Sequence, residues 1–168
     1  LPRVPRRLPK GILKVPEIER MCQQTSLHAV YGLRDRAVLE TYYATGIRRM
    51  ELGRLNRMDI DSATHVLTIA EGKNKCERKI PIAPRACGWI ETYLRDARPK
   101  LARLDSADAL FLDNKGRRFR EQQLTRMVSK YVKRAGINKR GACNLFRHST
   151  ATLMHENGAD HLYIKEML

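Results

Sequence analysis

The chain has 168 residues, enough for one compact domain with a sizeable core, and carries 33 Lys and Arg against 18 Asp and Glu, a formal charge of +15. That imbalance points to a polyanionic partner, nucleic acid foremost, with a ribosomal-type or merely soluble basic protein as the bland alternative. Four scattered cysteines (Cys22, Cys76, Cys87, Cys143) and five histidines give neither C-x-x-C nor H-E-x-x-H spacing, which argues against a zinc site or a disulfide framework, and neither a membrane-length apolar run nor a signal-peptide pattern is present.

The opening "LPRVPRRLPKGILKVP" sets prolines at 2, 5, 9 and 16 among Arg3, Arg6, Arg7, Lys10 and Lys14. Prolines so frequent forbid helix, so residues 1–15 are read as an extended basic arm, tracking phosphates or acting as a solvated tether. Helix is expected from about Pro16, with Pro in the first turn and acids close behind in "PEIERMCQQ". "GLRDRAVLETYYATG" predicts a second helix with Leu33, Ala37, Val38 and Tyr42 on one face, closed by Gly46. "IRRMELGRLN" reads as a short third helix. In "THVLTIAEGKNKCERKIPIA" two β-prone runs flank a lysine-rich turn, which predicts a β-hairpin at about 64–82.

Farther on, "PRACGWIETYLRDARPKLARL" predicts one long amphipathic helix with Trp89, Ile90, Tyr93 and Leu94 in a stripe. "ALFLDNKGRRF" reads as a short strand and turn, and "REQQLTRMVSKYVKRAG" as a helix stopped by Gly136. Two last helices lie in "CNLFRHSTATLMHENGADHLYIKEML", the first ended by Gly158 and the second capped by Asp160. The fold class expected is α+β, mostly helical, with a small antiparallel sheet.

Three cations stand in distinctive phrases. Arg48 follows "ATG" at a helix start, with Glu51 one turn on and able to hold it. Lys73 lies in the hairpin turn. Arg147 is expected in the first turn of a helix beginning near Asn144. A cation at a helix start adds to the positive end of the macrodipole, an arrangement suited to an anionic ligand. For any one basic residue of 33, a solvated surface side chain is the simpler account.

"YATGIRRMELGRL", "EGKNKCERKIPIA" and "NLFRHSTATLMHENGADHLYIKEML", in that order, resemble signatures of the catalytic domain of tyrosine recombinases, the phage-integrase family, nearest to its Xer-type and integron-type members. The resemblance covers roughly Pro16 to Leu168, so 16–168 is read as a recombinase catalytic domain. It implies that Arg48 and Arg147 grip the non-bridging oxygens of a scissile DNA phosphate. Lys73 would donate a proton to the departing 5′ oxygen, with Lys75 as its first alternative, and His148 would play a supporting part. Asn144 stands where the family usually has histidine, and an amide offers hydrogen bonds but no proton transfer. The nucleophilic tyrosine of the family is expected beyond Leu168, and Tyr163 reads as a packing residue. The chain starts with Leu, and a C-terminally incomplete piece of a longer bacterial, cytoplasmic protein is expected. No cofactor, metal, membrane or small-molecule substrate is implied.

Lys75, Arg117, Arg118, Arg120, Lys130, Lys133 and Arg134 are candidates for neutralising DNA backbone phosphates. The partner implied is double-stranded DNA, with four protomers on two duplexes for the complete enzyme. A non-catalytic DNA-binding remnant or regulator of the same fold is the alternative, and a type IB topoisomerase relative a third.

Overall fold

The computed structural model describes residues 11–70 and 77–168. The proline-rich opening to residue 10 and the hairpin turn 71–76, with Lys73, Lys75 and Cys76, lie outside the described residues. Packing begins by Leu13, which is fully buried and donates its N–H to Ser149 Oγ at 2.7 Å. Helix α1 (Val15–Gln23) follows. The Lys14 N–H donates to Glu17 Oε2 at 2.7 Å, so the carboxylate satisfies an open donor at the helix start.

Helix α2 (Val30–Thr45) is the centre of the molecule. The sequence predicts an amphipathic helix, but Leu33 is only half-buried, whereas Arg34, Asp35, Ala37, Val38, Leu39, Glu40, Thr41 and Tyr42 are all buried. Charges are tolerated there because each is paired. Arg34 bonds Asp35 at 2.8 Å, while Glu40 receives Arg36 and Arg85, both at 2.8 Å. Tyr42 stacks on Phe146 with centroids 5.8 Å apart, tying α2 to the later helix that carries Arg147. Gly46 ends α2 at φ 60°, and its N–H donates to the Tyr42 carbonyl. A side chain at Gly46 would meet Leu168 Cδ2 at 2.7 Å and Thr150 Cβ at 3.0 Å, so glycine serves both the turn and the close approach.

The short helix α3 (Arg49–Arg54) leads into an antiparallel sheet of β1 (Ile60–Asp61), β2 (Val66–Ala70) and β3 (Glu77–Pro81), in that order. The predicted hairpin is β2–β3, in register Leu67 opposite Ile80 and Ile69 opposite Arg78. Strand β1 was not anticipated, since two residues hold no readable period. Leu67, Ile69 and Ile80 face inward.

The long helix expected after residue 84 is interrupted. Helix α4 (Pro84–Thr92) runs through a π-helical turn at Tyr93–Ala97 into α5 (Arg98–Leu101). Pro99 accounts for the widened turn, because it has no N–H to donate four residues back and its ring crowds that carbonyl. Residues 109–112, expected as a strand, form only isolated bridges, Asn56 with Ala109 and Leu112 with Arg118. Side chains take the place of a neighbouring strand: Arg98 donates to the Ala109 carbonyl at 2.7 Å, Arg34 to the Leu112 carbonyl at 3.1 Å, and the Leu112 N–H donates to Tyr93 Oη at 3.1 Å.

Helices α6 (Glu121–Arg134), α7 (Cys143–Glu156) and α8 (His161–Met167) complete the fold. Gly136 and Gly158 have the positive φ expected beyond a helix end, and Asp160 accepts the Leu162 N–H at 2.7 Å. Among the described residues no helix is long and apolar enough to cross a membrane. The architecture is mostly helical with one small antiparallel sheet, the α+β class expected.

Candidate functional site

The site lies where α2 ends, α3 begins and α7 passes. Arg48 is the residue before α3, in extended backbone conformation. Its N–H donates to Glu51 Oε2 at 2.8 Å and its Nη1 to Oε1 at 3.0 Å. Thus Glu51 holds Arg48 by both main chain and side chain, as the i, i+3 spacing predicts. The Arg48 side chain remains 56% exposed, against 14% for Glu51. A guanidinium held through one terminal nitrogen and still more than half exposed is arranged to receive an anion on its remaining donors.

Arg78, on β3, was not singled out in the sequence. It meets Glu51 with a two-point fork, Nη1 to Oε1 and Nη2 to Oε2, both at 2.9 Å. A signal was available: residues two apart share a strand face, Ile80 is buried, and Arg78 therefore points inward. An inward cation requires acceptors, and a carboxylate is the strongest of them.

Arg147 reaches the same corner from α7. Its Nη1 donates to the Gly46 carbonyl at 3.2 Å, two residues before Arg48, and its Nη2 donates to the Leu168 carbonyl. Burial first, and then the Arg48 charge, hold the Arg147 guanidinium below its ordinary value; Glu51 opposes the shift and Arg78 adds to it. Arginine stays charged through such a shift, so the three guanidiniums and one carboxylate form a positive corner. One expectation is corrected. Helix α7 starts at Cys143, which places Arg147 in its second turn, where the macrodipole has little effect. The potential at Arg147 comes from Arg48 and Arg78 instead.

Asn144 and His148 are exposed and lie three residues before and one after Arg147. On a helix, positions 144, 147 and 148 lie toward one side, which places Asn144 and His148 on the part of α7 that carries Arg147. Burial pushes the Glu51 carboxyl up, but the Arg78 fork and the Arg48 N–H and guanidinium outweigh it and hold the group below its usual range. Lys73 and Lys75 lie outside the described residues, in the segment that joins β2 to β3.

The candidate backbone-binding cations divide. Arg120, Lys133 and Arg134 are exposed. Arg117 is exposed beside Asp105 at 3.5 Å, and Lys130 pairs with Asp35 at 3.2 Å. Arg118 differs from the expectation of a solvent-facing cation. Its Nη1 donates to the Leu55 carbonyl at 2.9 Å and its Nη2 to Asn56 Oδ1 at 2.6 Å, so it braces the loop after α3. The sequence leaves this unread, because its acceptors lie more than 60 residues away. Two hollows elsewhere carry several basic residues. One, of about 340 Å³, lies between α3 and the start of α6 and includes Arg49, Arg54, Arg118 and Arg120. The other, of about 420 Å³, is lined by Arg34, Lys115, Arg126 and Lys130 with Asn114 and Gln123.

Nearly the whole chain, residues 12–168, matches the sequence profile of the phage integrase family, and the chain belongs to that family. Among curated proteins it is similar to tyrosine recombinase XerC 2 of Ralstonia nicotianae, 39% identical over 168 residues, covering 100% of this chain and 48% of the relative. Tyrosine recombinase XerC of Natranaerobius thermophilus is 36% identical over 171 residues, covering 99% of this chain and 56% of the relative. The chain thus spans about half the length of the curated relatives it matches. Among solved structures, the XerA recombinase superposes with a TM-score of 0.81 at 27% identity, over 100% of this chain and 57% of that one. The fold is also that of the XerH site-specific recombinase bound to its difH substrate, with a TM-score of 0.80 at 23% identity over 96% of this chain and 47% of that one.

Proposed function

We propose that this chain supplies the phosphate-gripping part of a site-specific DNA recombinase, an enzyme that cuts and rejoins duplex DNA through a 3′-phosphotyrosyl intermediate. The observation that carries the reading is that Arg147 bonds the Gly46 carbonyl, two residues before Arg48, and feels the Arg48 charge, with Glu51 holding Arg48. Phosphoryl transfer develops charge on the equatorial oxygens, so catalysis is mainly positioning and charge stabilisation. Two guanidiniums that stay charged and can each make parallel bonds suit the non-bridging oxygens. Asn144 would donate a hydrogen bond on the same face, and His148 would support Arg147. As the tyrosyl oxygen bonds to phosphorus, the bond to the 5′ oxygen breaks and Lys73 supplies that oxygen's proton. By the resemblance the nucleophile is a tyrosine other than Tyr163, which is expected to pack but is an exposed residue of α8.

Arg117, Arg120, Lys130, Lys133 and Arg134 would neutralise backbone phosphates, and Lys75 would join them. Names of the relatives at 39% and 36% identity, tyrosine recombinases both, support the reading. The family resemblance implies in addition that the complete enzyme would work as four protomers on two duplexes, in the bacterial cytoplasm.

The chain alone is expected to bind duplex DNA with an affinity that falls steeply with salt, by a log–log slope of about −0.9 for each phosphate neutralised. On a nicked suicide substrate it should leave no protein-linked strand after denaturing electrophoresis. An adduct would show that a tyrosine within the chain is the nucleophile. In the whole protein, Lys73→Ala should lose cleavage and regain it on DNA whose 5′-bridging oxygen is sulfur, because a thiolate departs without a proton. Failure of the sulfur substrate to restore cleavage would move the donor's role to Lys75.

A further inference from the structure

Glu51 has two oxygens and four donors around them. Oε1 takes Arg78 Nη1 at 2.9 Å and Arg48 Nη1 at 3.0 Å, and Oε2 takes Arg78 Nη2 at 2.9 Å and the Arg48 N–H at 2.8 Å. A carboxylate offers about four lone-pair directions, so these contacts fill it. Exposure is uneven across the three side chains: 15% for Arg78, 14% for Glu51 and 56% for Arg48. The buried fork is therefore the anchor, and the exposed guanidinium is the member left able to meet a ligand.

An exposed i, i+3 ion pair is weak by itself, because two long side chains must be ordered against water. Glu51 on α3 with Arg48 alone could turn toward solvent and take Arg48 with it. The two-point contact from Arg78 removes that freedom. It also comes from a different element: Arg78 is the second residue of β3, the strand leading out of the segment that bears Lys73.

We propose that Arg78 is a positioning residue: its fork fixes the Glu51 carboxylate, which aims Arg48, so that the hairpin strand and the phosphate clamp move as one unit. The inference rests on the reading of Arg48 as a phosphate ligand. It adds a mechanical link between β3, which follows the segment containing Lys73, and the group that grips the phosphate. Lysine would not replace Arg78, since an ammonium makes a point contact where the planar fork makes two aligned ones.

The test uses the 168-residue chain labelled with ¹⁵N. The Arg48 side-chain Nε–H signal, assigned with Arg48→Lys, reports the order of that guanidinium without DNA. In Arg78→Met the Arg48 order parameter should drop below about 0.6, the range of flexible groups, while the backbone amides of α2 and α7 keep their positions. A mere structural tie would lower the melting temperature and leave Arg48 as ordered as before, and that result would overturn the proposal. Should Arg78→Met fail to fold, Arg78→Lys carries the same test: loss of Arg48 order supports positioning, and unchanged order refutes it. A separate titration of the unmodified chain with duplex DNA judges the underlying site. Arg48 and Arg147 signals that do not shift would remove the phosphate clamp, whatever the Arg78 variants show.

Discussion

Arg147→Ala in the whole protein is expected to slow DNA strand cleavage by about 100- to 1000-fold, the usual cost of losing one donor to a developing oxyanion. Duplex affinity should fall much less, because one phosphate contact among several changes the electrostatic binding term only in proportion. Arg48→Ala should behave alike, and the double variant should be little worse than either single one, since groups gripping the same oxygens act as a unit. Single-turnover cleavage and a binding titration at the same salt would separate the two effects. Wild-type cleavage in either variant would show that the corner at Gly46 is not where the phosphate sits. Arg147 also braces the fold through the Gly46 carbonyl, so Arg147→Lys is the companion measurement. Lysine preserves charge without the fork, and a large rate loss there separates geometry from net charge.

Asp35→Ala should be among the most destabilising single changes in the chain. Asp35 is 1% exposed and accepts from Arg34 Nη2 at 2.8 Å, Tyr131 Oη at 2.7 Å and Lys130 Nζ at 3.2 Å. Removing the carboxylate strands the Arg34 charge, itself only 4% exposed, and leaves the Tyr131 hydroxyl without its acceptor. Breaking one side of a buried pair costs about 3–5 kcal/mol, which for a chain of this size lowers the melting temperature by on the order of 10 °C. Asp35→Asn should lose less, because an amide oxygen still accepts hydrogen bonds. Thermal melts followed by circular dichroism decide it, and an Asp35→Ala melt matching the unmodified chain would mean that Arg34 is neutralised by other groups. The remaining contacts of Arg34, to the Leu112 carbonyl and Asn114 Oδ1, are to neutral acceptors. Both come from Nη1, so in the variant the Nε and Nη2 donors that now serve Asp35 lose their acceptor and the charge is left unbalanced.

Local rules made much of the molecule readable before folding. Gly46, Gly136 and Gly158 mark helix ends because a left-handed residue is cheapest as glycine, and Asp160 caps because its short carboxylate reaches the Leu162 N–H. The contact between Arg48 and Glu51 spans three residues, so a helical turn brings the two within reach. The β2–β3 hairpin follows from period-two patterning on both sides of a polar turn. Pro99 was visible as well, yet a continuous helical stripe was read through it, and the π-helical turn is where the chain answers the missing donor.

Other features were settled only by the assembled fold, because they depend on partners far along the chain. Arg78 finds Glu51 across 27 residues, and Arg147 finds Gly46 across 101. With 33 Lys and Arg in the chain, composition cannot say which cation braces a loop, as Arg118 does, and which faces solvent, as Arg120 does. Burial makes that choice: a guanidinium taken from water must find acceptors, and only the packed chain decides which carbonyls and carboxylates are within reach. Residue types and their short-range spacing thus determined the helices and the hairpin, and the motifs around Arg48 and Arg147 marked those two as the arginines proposed to grip phosphate. Long-range packing decided how those arginines are aimed, since aim is set by contacts that exist only once α3, β3 and α7 have come together.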